Sequence, residues 1–200
     1  MLNLFETAHI SASKKRILNS ALILFVEKGF FSTSIPDLVR HSGVSTGSIY
    51  HAFKDKESLA TQLMQHLLET IEAEQLDVLG QHTGVKARYF ALVRWMLQFA
   101  ERYPEAEQFI LYARHKEFMP GLAPICSSKP FMILRDVIQE GQDEGVLRPM
   151  DVMVASSIAY GSVLRLIQLS LDGVLTTPLM SHFDELTEAA WRALAVETSD

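Results

Sequence analysis

The sequence holds a single cysteine, Cys126, in 200 residues. With no second thiol there is no intramolecular disulfide, which excludes a small secreted scaffold stapled by such bonds. Sustained alternation of β-branched and polar residues between turn pairs is missing too, and with it the signal of sandwiches and barrels. There is no Gly-X-Y period, internal repeat or low-complexity tract. At 48% apolar and 21% charged residues, disorder is excluded and a sizeable core is provided for. The first residues, MLNLFETAHISASKKR, lack the basic-then-apolar order of a signal peptide, so a cytoplasmic, soluble chain is expected. Residues 152–171 are apolar over a membrane-spanning length. They also contain Arg165, Gln168 and four serines, and read as a helix held within protein, with no membrane partner.

Metal and nucleophile signatures are sparse. Seven histidines are present, but H-E-x-x-H, C-x-x-C and paired E-x-x-H spacings are not, so no metal site and no cofactor is expected. Residues 43–47 spell G-x-S-x-G, which in a hydrolase follows a strand and needs a sheet around it. Here a helical segment precedes it and no sheet is indicated; no catalytic residue and no enzyme activity is expected.

What the chain does have is helical spacing throughout, and an all-α fold is expected. Ile17, Ala21, Leu24 and Phe25 fall on one helix face, with Gly29 placed to end that helix. Ser34 and Asp37 form a capping box around Pro36, and the short helix it opens runs into Gly43. Ser45 is the next N-cap, before Ile49, Tyr50 and Phe53. A long helix is expected from about Lys56 to Leu79, and another through Tyr89, Phe90 and Phe99, ending near Pro104. Further helices are expected at 105–118, 131–144, 151–171 and 182–196, with a proline-containing loop at 119–130. Charge is uneven along this order. Residues 1–60 carry seven bases against five acids, whereas the rest carries eleven against nineteen, a weak pointer to a nucleic-acid module joined to something else.

The two short helices around Gly43 make a helix-turn-helix at 34–53. The second helix of such a pair enters the DNA major groove, its first residues facing base edges. Those residues are Ser45, Thr46, Gly47 and Ser48, all small, so the backbone can approach bases and phosphates. The free amides of a helix start favour a phosphate as well. Tyr50 and His51, one turn on, and Lys56 beyond them suit phosphate contacts that position without reading sequence.

Residues 16–63 resemble the DNA-binding region of the tetracycline-repressor (TetR) family of transcriptional regulators. The resemblance rests on Gly29-Phe30 followed by Thr33-Ser34, on Gly43-Val44-Ser45, on Tyr50 with Phe53, and on Lys56-Glu57 with Leu59, in order and without gaps. The chain departs from the family at Val39 and Ser42, where alanine is usual, at Ala52, and at Thr46, where lysine is common. The resemblance implies phosphate contact by Thr33, Ser45, Tyr50, His51 and Lys56, groove reading by Thr46, Gly47 and Ser48, and a place for Ser34 in the same set.

It further implies an N-terminal three-helix DNA-binding domain at 11–71 and a helical-bundle regulatory and dimerisation domain at 72–200. Family regulatory domains enclose a ligand cavity, and Trp95, Phe99, Tyr103, Tyr112, His115, Phe118, Phe131 and Arg165 are the candidates for lining one. The same aromatics at helical spacing also suit plain core. Phe183, Leu186, Ala190, Trp191 and Leu194 share one side of the last helix, a face fitted to a partner subunit; residues 152–171 suit either an internal core helix or half of that interface. The function expected is a repressor that binds a palindromic double-stranded operator as a homodimer through its last two helices, released by a small-molecule effector of unknown identity. A constitutive dimeric DNA-binding protein is the alternative, and an all-α small-molecule carrier or enzyme without a DNA role the second.

Overall fold

The computed structural model describes residues 4–5, 9–121 and 123–196. Ten α-helices lie among them: α1 (Ala12–Lys28), α2 (Ile35–Ser42), α3 (Thr46–Ala52), α4 (Lys56–Gly80), α5 (Val85–Arg102), α6 (Pro104–Tyr112), α7 (His115–Phe118), α8 (Lys129–Asp143), α9 (Val152–Leu171) and α10 (Phe183–Leu194). Extended pairing among the described residues is confined to an isolated bridge between Leu147 and Ala195. The all-α expectation holds. One expected helix is broken: residues 105–118 form α6 and α7, with Ala113 extended between them. Neither glycine nor proline marks this break. His115 explains it instead, because its Nε2 lies 2.8 Å from the Phe109 carbonyl and its ring packs edge-on to Phe109.

The described chain forms two compact units. The first comprises residues 1–71 and 103–125, the second 72–102 and 126–200. The segment 103–125, which the sequence places in a regulatory domain, therefore clusters with residues 1–71. Aromatic packing is the reason. Phe25 of α1 stacks on Phe109 of α6 with ring centroids 6.2 Å apart, and Phe30 lies nearly parallel to Phe118 at 4.1 Å. Around these rings α1 buries Ile17, Leu18, Ala21 and Leu22 completely, the helical periodicity that the sequence displayed.

In the second unit α5 is central. Tyr89 stacks on Trp191 of α10 and donates its hydroxyl to the Ala159 carbonyl of α9 at 3.0 Å. Arg88 donates through Nη1 to both oxygens of Glu140 in α8, at 2.6 and 2.8 Å. Glu74, in the second half of α4, accepts from the Trp95 indole (2.8 Å) and from Arg102 (3.0 Å). Gly141 sits where α8 meets Val85 and Leu147; a Cβ there would come within 2.8 Å of both side chains, so that crossing needs glycine.

Helix α9 is the longest apolar stretch and passes, by length and composition, as able to cross a membrane. Within this chain it buries one stripe, Ala155, Ala159, Val163 and Ile167. Met153, Val154 and Ile158 remain exposed at 51%, 53% and 37%. An internal core helix would be covered all round, so this helix has an apolar face to spare. On α10 the outcome differs from the sequence reading. Phe183, Ala190, Trp191 and Leu194 are buried in their own unit, and of the expected partner face only Leu186, half-buried, is left outward, beside exposed Ala189.

Candidate nucleic-acid interface

The helix-turn-helix is built from local signals that each find their partner. Ser34 accepts from the Asp37 amide (3.2 Å) while Asp37 accepts from the Ser34 amide (3.0 Å) and hydroxyl (2.6 Å), a complete capping box. Lys28 also reaches Asp37, at 3.3 Å, as does Arg40. The Ser34 hydroxyl and amide, and then Lys28, hold the Asp37 carboxyl well below the usual carboxylate range. The turn follows from Gly43, at φ 65° and ψ 19° in the left-handed region, its amide closing on the Val39 carbonyl at 3.0 Å. Ser42, where the TetR pattern has alanine, accepts from the Val44 amide through its hydroxyl (3.2 Å). Val44 is then buried between the helices.

Helix α3 starts at Ser45, whose Oγ accepts from the Ser48 amide at 3.2 Å. The helix buries Ile49, and Phe53 just beyond it. Every position facing the other way is open: Ser45, Thr46, Gly47, Ser48, Tyr50 and His51 are all exposed, Tyr50 at 54%. A Cβ on Gly47 would meet nothing within 4 Å. The leading turn of α3 thus offers hydroxyls, free amides and a smooth surface to whatever approaches. In this G-x-S-x-G sequence Ser45 is a helix cap, not a nucleophile on a sheet.

Two of the expected contact residues are engaged inside the protein. Thr33 is 1% exposed, and its hydroxyl lies 2.9 Å from the Gly29 carbonyl and 3.1 Å from that of Leu24. Lys56 donates to the carbonyls of Phe30 (2.8 Å) and Thr33 (2.9 Å), with its ammonium 4.4 Å above the Phe30 ring. Both residues hold the α1–α2 connection. Lys54, two positions earlier, is exposed and makes no hydrogen bond or ion pair among the described residues. In the sequence the two lysines flank Asp55 alike, and nothing local tells which one folds inward.

The candidate cavity residues divide between the two units. Tyr103, Tyr112, His115 and Phe118 belong to the first unit; Trp95, Phe99, Phe131 and Arg165 belong to the second. Tyr112 is exposed at 43%, and Phe118 packs on Phe30 as core. Phe99 is fully buried against Trp95, centroids 5.2 Å apart, while Arg165 is exposed with a long contact to Gln168. No group of three or more His, Cys, Asp or Glu side chains suited to a metal occurs among the described residues.

Two family models match this sequence. The model described as bacterial regulatory proteins, tetR family, aligns with residues 17–63, and the tetracyclin repressor-like C-terminal domain aligns with residues 60–196. The chain belongs to the TetR family. The HTH-type transcriptional repressor KstR2 of Mycobacterium tuberculosis (strain CDC 1551 / Oshkosh) is 24% identical over 145 residues, 70% of this chain and 72% of KstR2. A TetR family transcription regulator from Marinobacter aquaeolei VT8 superposes with a TM-score of 0.77 at 17% identity, covering 92% of this chain and 96% of that one. The transcriptional regulator FadR of Bacillus subtilis, solved with stearoyl-CoA, superposes with a TM-score of 0.76 at 16% identity over 88% and 96% of the chains. This TetR-family chain is a DNA-binding transcription regulator, and α2–turn–α3 is its helix-turn-helix.

Proposed function

We propose that this regulator is a homodimeric repressor that binds a palindromic operator and is released by a small-molecule effector, acting in the cytoplasm. The observation that carries the DNA part is the outward display of residues 45–48, 50 and 51 over a buried Ile49 and Phe53. Thr46, Gly47 and Ser48 read base edges, Ser45 and Tyr50 contact phosphates, and exposed His51 and Lys54 add donors to the backbone of the duplex. Ser34 closes α2 at its DNA-facing start. Thr33 and Lys56 act by fixing the α1–α2 connection.

Dimerisation is favoured by the uncovered apolar face of α9. Between α9 and α10 runs a groove of about 340 Å³ lined by Ile158, Ser162, Leu166, Leu186 and Ala189 among others. Each isoleucine or valine buried there by a second copy contributes about 1.5–3 kcal/mol. Two copies related by a two-fold axis present two α3 helices to half-sites about 34–36 Å apart, or a multiple of that. The effector part draws on the relatives: FadR was solved with stearoyl-CoA, and a KstR2 structure is named for a ketosteroid regulator. Helix α4 runs unbroken from the first unit into the second, a covalent path along which an effector would lower operator affinity by about 1–3 kcal/mol, the usual size of such coupling.

Variants of α3 test the assignment. Tyr50→Ala is expected to weaken binding about five- to tenfold on every DNA sequence alike, the loss of one hydrogen bond to phosphate. Ser48→Ala and Thr46→Ala are expected to change which base pairs are preferred. Gel-shift titrations on randomised operators read both; equal affinity and unchanged preferences in all three variants would remove α3 from the interface.

A further inference from the structure

A second groove lies wholly within the 72–102 and 126–200 unit, where α5 meets α10 and the end of α4, with a volume of about 470 Å³. That lies inside the range of small-molecule sites, about 300–1,000 Å³. Its floor is apolar and built: Ala91, Trp95 and Phe183 are each 8–9% exposed, and the Phe90 ring packs edge-on to Phe183 at 6.2 Å. Trp95 cannot swing into the space, because Glu74 holds its indole nitrogen.

One charge in this groove is unanswered. The Arg94 guanidinium carbon lies over the Phe183 ring, 4.0 Å from its centroid. Among the described residues it makes no hydrogen bond or ion pair. With no partner taken up, the guanidinium N–H groups are open to pair with a carboxylate through two parallel hydrogen bonds. The two acids of the lining leave those groups unpaired. Glu188 faces Lys86 at 3.7 Å, and Asp184 stands in the first turn of α10, where the helix amides favour it. Their presence also sets a limit on the ligand, since a dianion would meet two carboxylates of like charge.

We propose that this groove binds a small planar aromatic monocarboxylate, its carboxylate on Arg94 and its ring on the Phe90–Trp95–Phe183 floor. The site supplies an effector class for the repressor proposed above and rests on that reading for its biological use alone. Isothermal titration of the full chain with 2-naphthoate, without DNA, tests it. Saturable binding is expected, at least tenfold weaker in Arg94→Gln and unchanged in Arg148→Gln, a charge loss elsewhere. On the wild-type chain, neutral 2-naphthalenemethanol and dianionic 2-naphthyl phosphate are each expected to bind at least tenfold more weakly than 2-naphthoate, which reads the same preference without any substitution. Absence of saturable 2-naphthoate binding, equal binding by Arg94→Gln, or equal binding of the neutral or dianionic analogue overturns the proposal. Because no DNA is present, failure here leaves operator binding intact, and failure of operator binding leaves this titration intact.

Discussion

Ile158→Arg is expected to turn the proposed homodimer into a folded monomer and to lower operator affinity by about 10²–10⁴-fold, the advantage that a linked second site confers. Ile158 is 37% exposed on α9 and lines the groove toward α10. Its side chain lies on the uncovered face, so a single chain accommodates arginine in solvent with little change in stability. In a two-fold interface the same patch meets itself. The substitution then brings two guanidinium groups into a surface that would otherwise be dry, and an unpaired buried charge is strongly destabilising. Size-exclusion chromatography with light scattering reads the mass, and gel shift reads the affinity. A dimer that persists, with operator binding undiminished, would place the subunit contact somewhere other than α9.

Phe30→Ala is expected to cost about 3–5 kcal/mol of stability, the range for removing a buried phenylalanine. In a chain of this length that corresponds to a fall in Tm of roughly 10 °C. The ring is 5% exposed and contacts three others: Phe118 at 4.1 Å, Phe25 at 5.2 Å and Phe31 at 5.3 Å. The Lys56 ammonium rests on its face. Truncation therefore removes apolar burial, leaves a cavity that rigid neighbours cannot fill, and takes away a cation–π contact that is itself worth about 0.5–2 kcal/mol. Thermal and chemical unfolding followed by circular dichroism measure the loss. A cost under about 1 kcal/mol would show that the site collapses and that these rings do not hold the segment 103–125 to α1.

The helix-turn-helix was legible because its signals are local. Ser34 with Asp37, Gly43, and Ser45 each specify a cap or a turn within four residues, and the structure uses every one of them. Burial of Val44, Ile49 and Phe53 follows from the same spacing. What escaped the sequence was non-local. The break between α6 and α7 is made by a histidine ring folding back on Phe109. Assignment of 103–125 to the first unit depends on rings brought together from positions about eighty residues apart. The resemblance points Thr33 to phosphate, and charge and resemblance together point Lys56 there, whereas carbonyls at the end of α1 and in the α1–α2 connection take them up. Helix α9 carries apolar side chains on its exposed face as well as its buried one, Met153, Val154 and Ile158 among them, so periodicity alone does not show which stripe its own chain covers. The aromatic candidates for a ligand wall shared only composition, and the structure divides them between two units.

Charge explains why an acidic protein with a net charge of −6 can still approach DNA. Its basic excess lies in the first sixty residues; exposed Arg40 and Lys54 flank α3, which itself carries exposed His51. Phosphate contacts of this kind make affinity fall steeply with salt.

The most direct test is selection of genomic DNA fragments by the purified protein, repeated across a salt series and followed by footprinting. The expected result is enrichment of fragments sharing an inverted repeat, with half-site centres about 34–36 Å apart or a multiple of that, and protection lost when Tyr50 and Ser48 are both changed to alanine. Recovery of fragments with no common sequence, or a footprint that survives both changes, would contradict the reading of α3 as the element that recognises DNA.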